Sequence, residues 1–460
     1  MPIDSTHSTY DAYAQKWKRA KDACAGQAEV HAAGVYYLPK LKDQTEDDYN
    51  SYKLRATYFN ATGRTLDALV GMVFRKDPQV ESSGIDEIIA DVDLQGNGLA
   101  SFAQMIIREV LRASRFGVLV EYPQVIDAPK TQAEALAQNM RPYLSKYLTE
   151  SIINWEVVRI NNVMQPVFIM LKECGHTKVD EYESKSFDQY RELRLENGVY
   201  TQKLWKHEGN KWIQIGEDII PLLNNKPLNF IPFFPFGADN NSLEITDAPI
   251  LPLADLNLAH YRVTADYEHG CHYTGLPMLF LSGIEAKENE KVWLGSQAAV
   301  ITEKEGANGK FIEFTGQGLS ALENNLTRKE NQMAVLASRV LEQQKSGVES
   351  EGAMKLRANG ENSVLGGIVN LSSAQLSKMF TFLAKWAGAS KDVVIQLNTD
   401  NIPIALSAQE LLAFVSSWQA GAISSETLFM NLKKGEIYDG SALFLDEQEK
   451  IGNREPILAQ

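Results

Sequence analysis

Two long helix-forming stretches, separated by a glycine-rich segment, constrain the fold of this chain most. The first, APILPLADLNLAHYRVTADYEHG from Ala248, carries apolar residues at helical spacing, with prolines only near its start. The segment after it, GLPMLFLSGIEAKENEKVWLGSQAAVITEKEGANGKFIEFTG, is strand-prone and broken by turns. The second stretch has a polar side and one apolar seam, formed by Leu319, Leu322, Leu326, Met333, Leu336, Val340 and Leu341. The sequence therefore predicts two long helices joined by a compact, strand-rich tip.

In the region before these helices, the spacing of the apolar residues changes near residue 142 from a helical to a strand-like pattern. The first third predicts helices, with capping boxes at Ser8-x-x-Asp11 and Ser101-x-x-Gln104, and with Gly117 ending the second of these helices before the short strand VLVEYP. From about Pro142 to Gly237 alternating segments predict a small, mostly antiparallel β unit. Asn197-Gly198 is its strongest hairpin signal, and Glu208-Gly209-Asn210 predicts a second turn. The predicted fold class is thus α+β, mainly helical.

After the second long helix, QQKSGVESEGAMKLR interrupts the helical pattern with glycine, serine and charge. A third helix is expected from about Ala353 to Trp386, followed by the strand DVVIQLNTD. The end of the chain predicts two short helices and an acidic tail, the first helix opening with the capping box Ser407-x-x-Glu410.

Length, charge and cysteine content narrow the class of protein. A chain of 460 residues should fold as two or three units. Its net charge of -14 argues against a protein that grips nucleic acid by neutralising phosphates, and leaves either a protein unrelated to nucleic acid or one that meets nucleic acid without binding it tightly. Cys24, Cys174 and Cys271 are odd in number and far apart, which favours a reducing compartment over a disulfide framework. The polar N-terminal segment and the lack of a long apolar run predict neither a signal peptide nor a membrane span.

A cluster of potential metal ligands lies in the first long helix. It consists of His260, Asp266, Glu268, His269, Cys271 and His272. His260 and His269 are about 13 Å apart along a helix and cannot share one ion. Glu268 with His272, and His269 with His272, face each other, but neither pair completes a known zinc motif, and Gly270 predicts that the helix ends there. The cluster is interpreted as a polar helix face, with a metal-dependent hydrolase using Glu268, His269 and His272 as the alternative.

Motifs for catalysis are missing elsewhere too. The sequence has no G-x-S-x-G elbow and no phosphate-binding loop, so it predicts no catalytic residues, no cofactor and no metal. Trp155, Trp205 and Trp212 lie on predicted strands, where a half-buried sheet face is a better interpretation than a base-stacking platform.

The order of elements resembles the portal proteins of tailed bacteriophages. The resemblance is carried by four stretches: residues 36–78 (YYLPKLKDQTEDDYNSYKLRATYFNATGRTLDALVGMVFRKDP), 253–277 (LADLNLAHYRVTADYEHGCHYTGLP), 294–323 (LGSQAAVITEKEGANGKFIEFTGQGLSALE) and 398–437 (NTDNIPIALSAQELLAFVSSWQAGAISSETLFMNLKKGEI). They are similar to a portal-like phage family filed as a domain of unknown function. The resemblance implies a portal-like architecture of wing, stem, clip and crown, with long stem helices.

The resemblance also implies a division of the chain and a set of partners. The implied segments are a wing (1–250, with the β unit at about 142–237), a descending stem helix (251–272), a clip (273–315), an ascending stem helix (316–344), a tunnel loop (345–357), a wing helix and strand (358–400) and a crown (401–460). The chain would form a homo-oligomeric ring, twelvefold in the virion, at one capsid vertex, after assembly in the host cytoplasm. Its implied partners are double-stranded DNA bound without sequence specificity, the large terminase, head–tail adaptor or neck proteins, and the major capsid protein or scaffold, without any membrane.

The acidic charge suits a conduit, because a uniformly basic lining would trap DNA through counterion release. The tunnel loop is expected to supply a few transient contacts, although two of its five charged residues are acidic: Lys345, Glu349, Glu351, Lys355 and Arg357. The alternative is another head–tail component, such as an adaptor that binds a portal, which predicts no self-assembled ring with a central channel.

Overall fold

The computed structural model of the protein describes residues 2–123, 134, 138–209, 211–274, 278–282, 306–312, 318–339, 364–399, 408–434 and 444–452. The described part contains more helix than strand, and its strand pairs are antiparallel. The predicted α+β class, mainly helical, is confirmed. The described helices include none that is long and apolar enough to cross a membrane.

The helices of the described residues are, in chain order, α1 (Tyr10–Ala25), α2 (Gln27–Ala32), α3 (Glu46–Arg55), α4 (Ala61–Val73), α5 (Asp86–Ala90), α6 (Leu99–Ala113), α7 (Leu251–Thr274), α8 (Leu319–Arg339), α9 (Val364–Trp386), α10 (Ala408–Gln419), α11 (Ser425–Lys434) and α12 (Phe444–Gly452). The strands are β1 (Gln79–Glu81), β2 (Arg115–Glu121), β3 (Tyr143–Leu148), β4 (Ile152–Ile160), β5 (Val163–Lys178), β6 (Ser184–Glu196), β7 (Val199–Glu208), β8 (Lys211–Ile219), β9 (Leu222–Leu223), β10 (Lys226–Pro227), β11 (Phe233–Gly237), β12 (Met278–Ser282), β13 (Asn308–Ile312) and β14 (Val394–Gln396).

The chain divides into two compact units. One, here called the sheet unit, comprises Met1–Trp17, Thr65–Ile250 and Ser338–Gln460, and the other, the helix-pair unit, comprises Lys18–Arg64 and Leu251–Ala337. The sheet unit contains a five-stranded meander in the order β4-β5-β6-β7-β8 and a three-stranded sheet in the order β11-β2-β3. It also contains the pair β1–β14, which joins residues more than 300 positions apart in sequence.

The predicted β region and its hairpins are confirmed. Asn197 and Gly198 connect β6 to β7 with φ angles of 53° and 74°, the left-handed backbone of a type I′ turn. Gly209, with φ of 61°, lies between the paired ends of β7 and β8. The sheet face buries Trp155, and Trp205 and Trp212 pack against a core of Ile153, Met170 and Tyr190. The tryptophans are therefore sheet-packing residues, as their strand positions indicated.

The predicted ends of α6 are wrong. The helix begins at Leu99 rather than at Ser101, because the buried face already includes Leu99, and Gly98 occupies the N-cap position. It ends at Ala113, where Ser114 adopts the left-handed conformation with φ of 55°. Gly117 lies inside β2, where a Cβ atom would come within 2.2 Å of the Phe233 ring and 2.9 Å of Ile152. This glycine therefore serves close packing across the sheet, not helix termination.

The later part of the chain agrees with the pattern where it is described. The third long helix is described from Val364 to Trp386, and the strand after it is β14. The C-terminal segment contains α10 and α11 as predicted, but the acidic tail includes a further helix, α12. Ser407, proposed as a cap, lies outside the described residues.

Candidate functional site: the antiparallel helix pair

The two predicted long helices form an antiparallel pair in the helix-pair unit. α7 has 24 residues and α8 has 21, about 36 and 31 Å of helix. The Nε2 atom of His260 lies 3.3 Å from Oε1 of Glu330. Ten residues further along α7, Leu319 of α8 fills the space beside Gly270, where a Cβ atom would come within 2.6 Å of the leucine side chain. The helices are thus in contact over about 15 Å of their length.

The strand pair that follows continues the same register. From the contact His260/Glu330 to the contact Gly270/Leu319, the residue number rises by ten on α7 and falls by eleven on α8. From the contact Gly270/Leu319 to the strand pair Met278/Ile312, the residue number rises by eight on the first segment and falls by seven on the second. The helix pair and the hairpin β12–β13 therefore follow one another as a single antiparallel excursion of the chain.

Gly270 does not end α7, contrary to the prediction. The helix continues to Thr274, whose hydroxyl donates to the Gly270 carbonyl at 2.8 Å. The glycine costs helix propensity, but its missing side chain leaves room for Leu319. It is a packing notch between the two helices.

Burial along the pair is uneven. The buried residues of α7 all precede Asp266: Leu251, Leu253, Ala254, Asn257, Leu258, His260, Tyr261, Thr264 and Ala265. On α8 only Met333 is buried among the residues whose side chains are described. The end of the pair that leads to the hairpin is therefore the more exposed one.

The predicted seam of α8 is confirmed over its described part. Leu319, Leu322, Leu326 and Leu336 are half-buried and Met333 is buried, whereas Val340 and Leu341 lie outside the described residues. The rest of the helix surface is exposed and mostly polar: Ser320, Ala321, Glu323, Asn324, Thr327, Arg328, Glu330, Asn331, Gln332, Ala334 and Val335. Such a helix offers a long surface to another molecule.

Asn257 fixes the buried part of α7 to the first turn of α4 and to the residues just before it. Its Oδ1 accepts hydrogen bonds from the Tyr58 hydroxyl (3.0 Å), the Thr62 amide (3.0 Å) and the Thr62 hydroxyl (2.8 Å), and its Nδ2 donates to the Phe59 carbonyl (2.8 Å). The side chain is completely buried. Sequence reasoning missed this residue, because its partners lie about 200 positions earlier in the chain.

The clustered histidines and carboxylates of α7 have separate partners. His260 is buried between Glu330 and Thr264, and burial lowers its pKa below the usual value. Asp266 accepts a hydrogen bond from the Tyr52 hydroxyl at 2.6 Å. The His269 ring packs edge-on against Tyr52 with the centroids 5.1 Å apart. Burial also lowers the pKa of His269, helped by Arg55 and His272.

A metal site is not assembled from these groups. Across the described ranges, no three His, Cys, Asp or Glu side chains lie close enough together to hold a metal ion, and those ranges include Glu268, His269 and His272. The hydrolase alternative therefore has no metal centre in the described part of the chain. The residues predicted for the tunnel loop lie outside it: Lys345, Glu349, Glu351, Lys355 and Arg357.

The sheet unit holds a second polar cluster that sequence reasoning missed. Arg191 donates to Glu173 through Nε (2.6 Å) and to Glu121 through Nη1 (3.0 Å), and Nη1 also donates to Gln202 (2.9 Å). Glu173 accepts a further bond from Tyr147 at 2.6 Å. A small cavity of about 190 Å³ borders this cluster. Because the carboxylates already have donors, the cluster connects β2 and β3 to the meander and is a structural network.

Comparisons with known proteins give few matches in sequence. A family model described as "Domain of unknown function (DUF4055)" matches residues 249–387, less than a third of the chain. No curated protein matches the sequence significantly. The region that the family model covers includes α7, the hairpin, α8 and α9.

Solved structures of gene transfer agent (GTA) particles are similar over most of the chain. "Neck of empty GTA particle computed with C6 symmetry" has a TM-score of 0.42 at 13% identity, covering 87% of this chain and 96% of that one. "Virion of native gene transfer agent (GTA) particle" has a TM-score of 0.40 at 12% identity, covering 86% and 96%. "Neck of native GTA particle computed with C12 symmetry" has a TM-score of 0.39 at 13% identity, covering 87% and 98%. Scores and identities this low carry no argument about function.

Proposed function

We propose that the protein is a portal protein of a tailed bacteriophage, a ring-forming structural component through which the genome is packaged and ejected. The observation that carries this proposal is the antiparallel excursion α7–β12–β13–α8, with one apolar seam and an otherwise exposed surface. A helix of that kind gains most by packing against copies of itself. The resemblance of four sequence stretches to portal proteins supports the same role.

In this proposal the segments keep the roles that the resemblance implies. The helix pair forms the stem, the hairpin belongs to the clip that terminase and the neck or adaptor proteins bind in turn, and the chain around them forms the wing and crown. The net charge of -14 is compatible with a DNA conduit, because acidic walls repel the phosphate backbone and leave the duplex free to move. The protein acts without catalysis of its own, as a virion component at one capsid vertex.

Negative-stain imaging and native mass measurement of the purified chain test this function. We expect closed rings with a central hole, with about twelve copies as the resemblance to portal proteins implies. A monodisperse monomer or dimer at all salt and protein concentrations would contradict the proposal. It would favour an adaptor that binds a portal made by another chain.

A pair of tryptophan variants tests whether the exposed surface of α8 lies between copies. Ala334→Trp places a bulky ring on that surface, and Ser186→Trp places one on the exposed part of β6. We expect the first variant to remain folded but to lose the rings, and the second to form them normally. Rings from both variants would show that this surface of α8 is not used in assembly.

A further inference from the structure

The first residues of the chain lie on the five-stranded meander as a short strap, which we define as residues 2–9. Ile3, Ser5 and His7 are half-buried and the positions between them are exposed, the alternation of an extended segment that lies on a surface. Ile3 and, just after the strap, Tyr10 pack against the hydrophobic core of the meander. The strap therefore covers part of the sheet that would otherwise face solvent.

Hydrogen bonds tie the strap to β4. The His7 amide donates to the Ile153 carbonyl at 2.8 Å. The Asn154 side chain donates through Nδ2 to the Ser5 carbonyl at 3.1 Å. Both bonds join the strap to adjacent residues of one strand, so the segment is held over a short length of β4.

The ring of Trp155 lies between the strap and a buried arginine in the chain of contacts. The His7 imidazole stacks on this ring, with the centroids 4.0 Å apart and an angle of 18° between the planes. The guanidinium carbon of Arg115 lies over the same ring, also 4.0 Å from its centroid. The imidazole and the guanidinium are therefore at most about 8 Å apart, a distance over which charges in a partly buried site still interact.

Arg115 supplies a positive charge next to the strap. Its side chain is completely buried and donates through Nη1 to the Ile152 carbonyl at 3.3 Å. Within the described part of the chain, its Nε and Nη2 atoms have no hydrogen-bond partner. Burial lowers the pKa of Arg115 to about 9, which still leaves the guanidinium charged at neutral and acidic pH. A second cation nearby would be repelled.

The hydrogen bonds of His7 require its neutral form. Its Nδ1 atom accepts from the Thr9 amide at 3.3 Å and lies 2.9 Å from the Thr9 hydroxyl. A protonated Nδ1 can still donate to the hydroxyl, but it cannot accept from the amide. Protonation would thus break a bond within the strap and place a second cation near Arg115. Burial and Arg115 lower the pKa of His7 in the same sense.

The other charged groups around the strap do not offset this repulsion. They influence the pKa of Tyr10 or Tyr190 instead of that of His7, and they come from the N-terminal segment and from each element beneath it: Asp4, Asp11, Glu150, Lys172 and Asp188. Lys172 and Asp188 also form a salt bridge at 2.8 Å. Among the described residues, Arg115 is therefore the charged group that acts on the imidazole.

We propose that the strap is released by acid, with His7 as the residue that controls its release. Above about pH 6.5 the neutral imidazole keeps the strap on the meander, and as the pH falls below that value protonation favours the free strap. Release uncovers the face of Trp155 on which His7 stacks, so an apolar part of the sheet becomes accessible only in acid. The contacts lie within one chain, so this inference does not depend on the proposed portal function.

Hydrogen exchange of the full chain, followed by mass spectrometry from about pH 7.5 to about pH 5, tests the release. Protection of each peptide is expressed relative to the unstructured chain at the same pH, which removes the chemical effect of pH on exchange. The comparison includes wild type, the variant His7→Gln and the control His176→Gln, which removes an exposed histidine of β5. Peptides from β6 and β7 report on the meander itself.

In wild type and in His176→Gln we expect protection of the strap to fall by up to about tenfold for each unit by which folding lowers the pKa of His7, while β6 and β7 stay protected. In His7→Gln the protection should not change with pH, at whatever level it has at neutral pH. Unchanged protection of the wild-type strap would overturn the inference, and so would a loss in His7→Gln equal to that of wild type. A parallel loss in β6 and β7 would overturn it too, since the opening would then be unfolding of the sheet unit.

Discussion

The side-chain oxygen of Asn257 in α7 accepts hydrogen bonds from both donors of Thr62, the backbone amide at 3.0 Å and the hydroxyl at 2.8 Å. With the bonds to Tyr58 and Phe59, one amide side chain uses its acceptor three times and its donor once, entirely out of contact with solvent. A buried polar group without a hydrogen-bond partner lowers the stability of the fold, so the loss of Asn257 would affect all of these partners at once. The helix pair of the proposed stem is anchored here.

Replacing Asn257 with alanine should therefore destabilise the protein strongly. The change leaves the Thr62 amide and the Phe59 carbonyl without their partner, and we expect a loss of about 2–4 kcal/mol in the free energy of unfolding. Chemical denaturation followed by circular dichroism measures it. Asn324→Ala on the exposed surface of α8 is the control, with an expected change within about 0.5 kcal/mol. Equal effects of the two changes would show that the hydrogen bonds of Asn257 contribute no net stability.

Two glycines in regular structure should respond oppositely to alanine. At Gly117 the new Cβ atom would lie 2.2 Å from the Phe233 ring, inside a fully buried strand, so we expect Gly117→Ala to destabilise the protein by about 1–3 kcal/mol. At Gly71, in the exposed part of α4, nothing lies within 4 Å, and Gly71→Ala should stabilise it by about 0.5–1 kcal/mol through helix propensity. Thermal unfolding of both variants checks the signs. A neutral result at Gly117 would mean that Phe233 moves away easily.

Local patterns predicted the parts of this fold that depend on neighbours in sequence. The seam of α8 follows from the spacing of Leu319, Leu322 and Leu326, and the β6–β7 hairpin follows from Asn197 and Gly198. Both features are set by backbone geometry within a few residues, so the sequence displays them directly. The two long helices of the candidate site and the strand-rich segment between them could be predicted from the sequence for the same reason.

Features that depend on residues far away in the sequence could not be predicted from local patterns. Gly117 and Gly270 both suggested helix ends, and in both cases the glycine makes room for a side chain from elsewhere in the chain, Phe233 and Leu319 respectively. A sequence shows that a glycine is present but not whether it serves the backbone or a neighbour.

Acidification should weaken the fold through three histidines. Burial lowers the pKa of His7, His260 and His269 below the usual value of about 6.5, so the unfolded chain binds protons more readily than the folded one. Stability from these groups is therefore complete above about pH 6.5 and is lost as the pH falls below it. Urea unfolding at a series of pH values from neutral to mildly acidic measures the slope.

The variant His260→Gln isolates one of these contributions. It keeps a polar side chain beside Glu330 but cannot take up a proton, so its stability should fall less steeply with decreasing pH than that of the wild-type protein. His176→Gln, at an exposed position of β5, is the control and should keep the wild-type slope. If His260→Gln shows the wild-type slope as well, the buried imidazole does not contribute to the acid sensitivity.

Arg191 should be among the residues on which the sheet unit depends most. Its guanidinium is the cationic partner of both Glu121 and Glu173, whose side chains are only 10% and 16% exposed. Arg191→Met fills much of the same space but leaves two carboxylates buried without a cation, and we expect a loss of about 3–5 kcal/mol in the free energy of unfolding. Arg159→Met, exposed on β4, should change it by less than about 0.5 kcal/mol. The triple change E121Q/E173Q/R191M also removes the two unpaired carboxylates, so chemical denaturation should show that much of the lost stability is recovered. A triple variant no more stable than Arg191→Met would mean that lost packing, not unpaired charge, causes the defect.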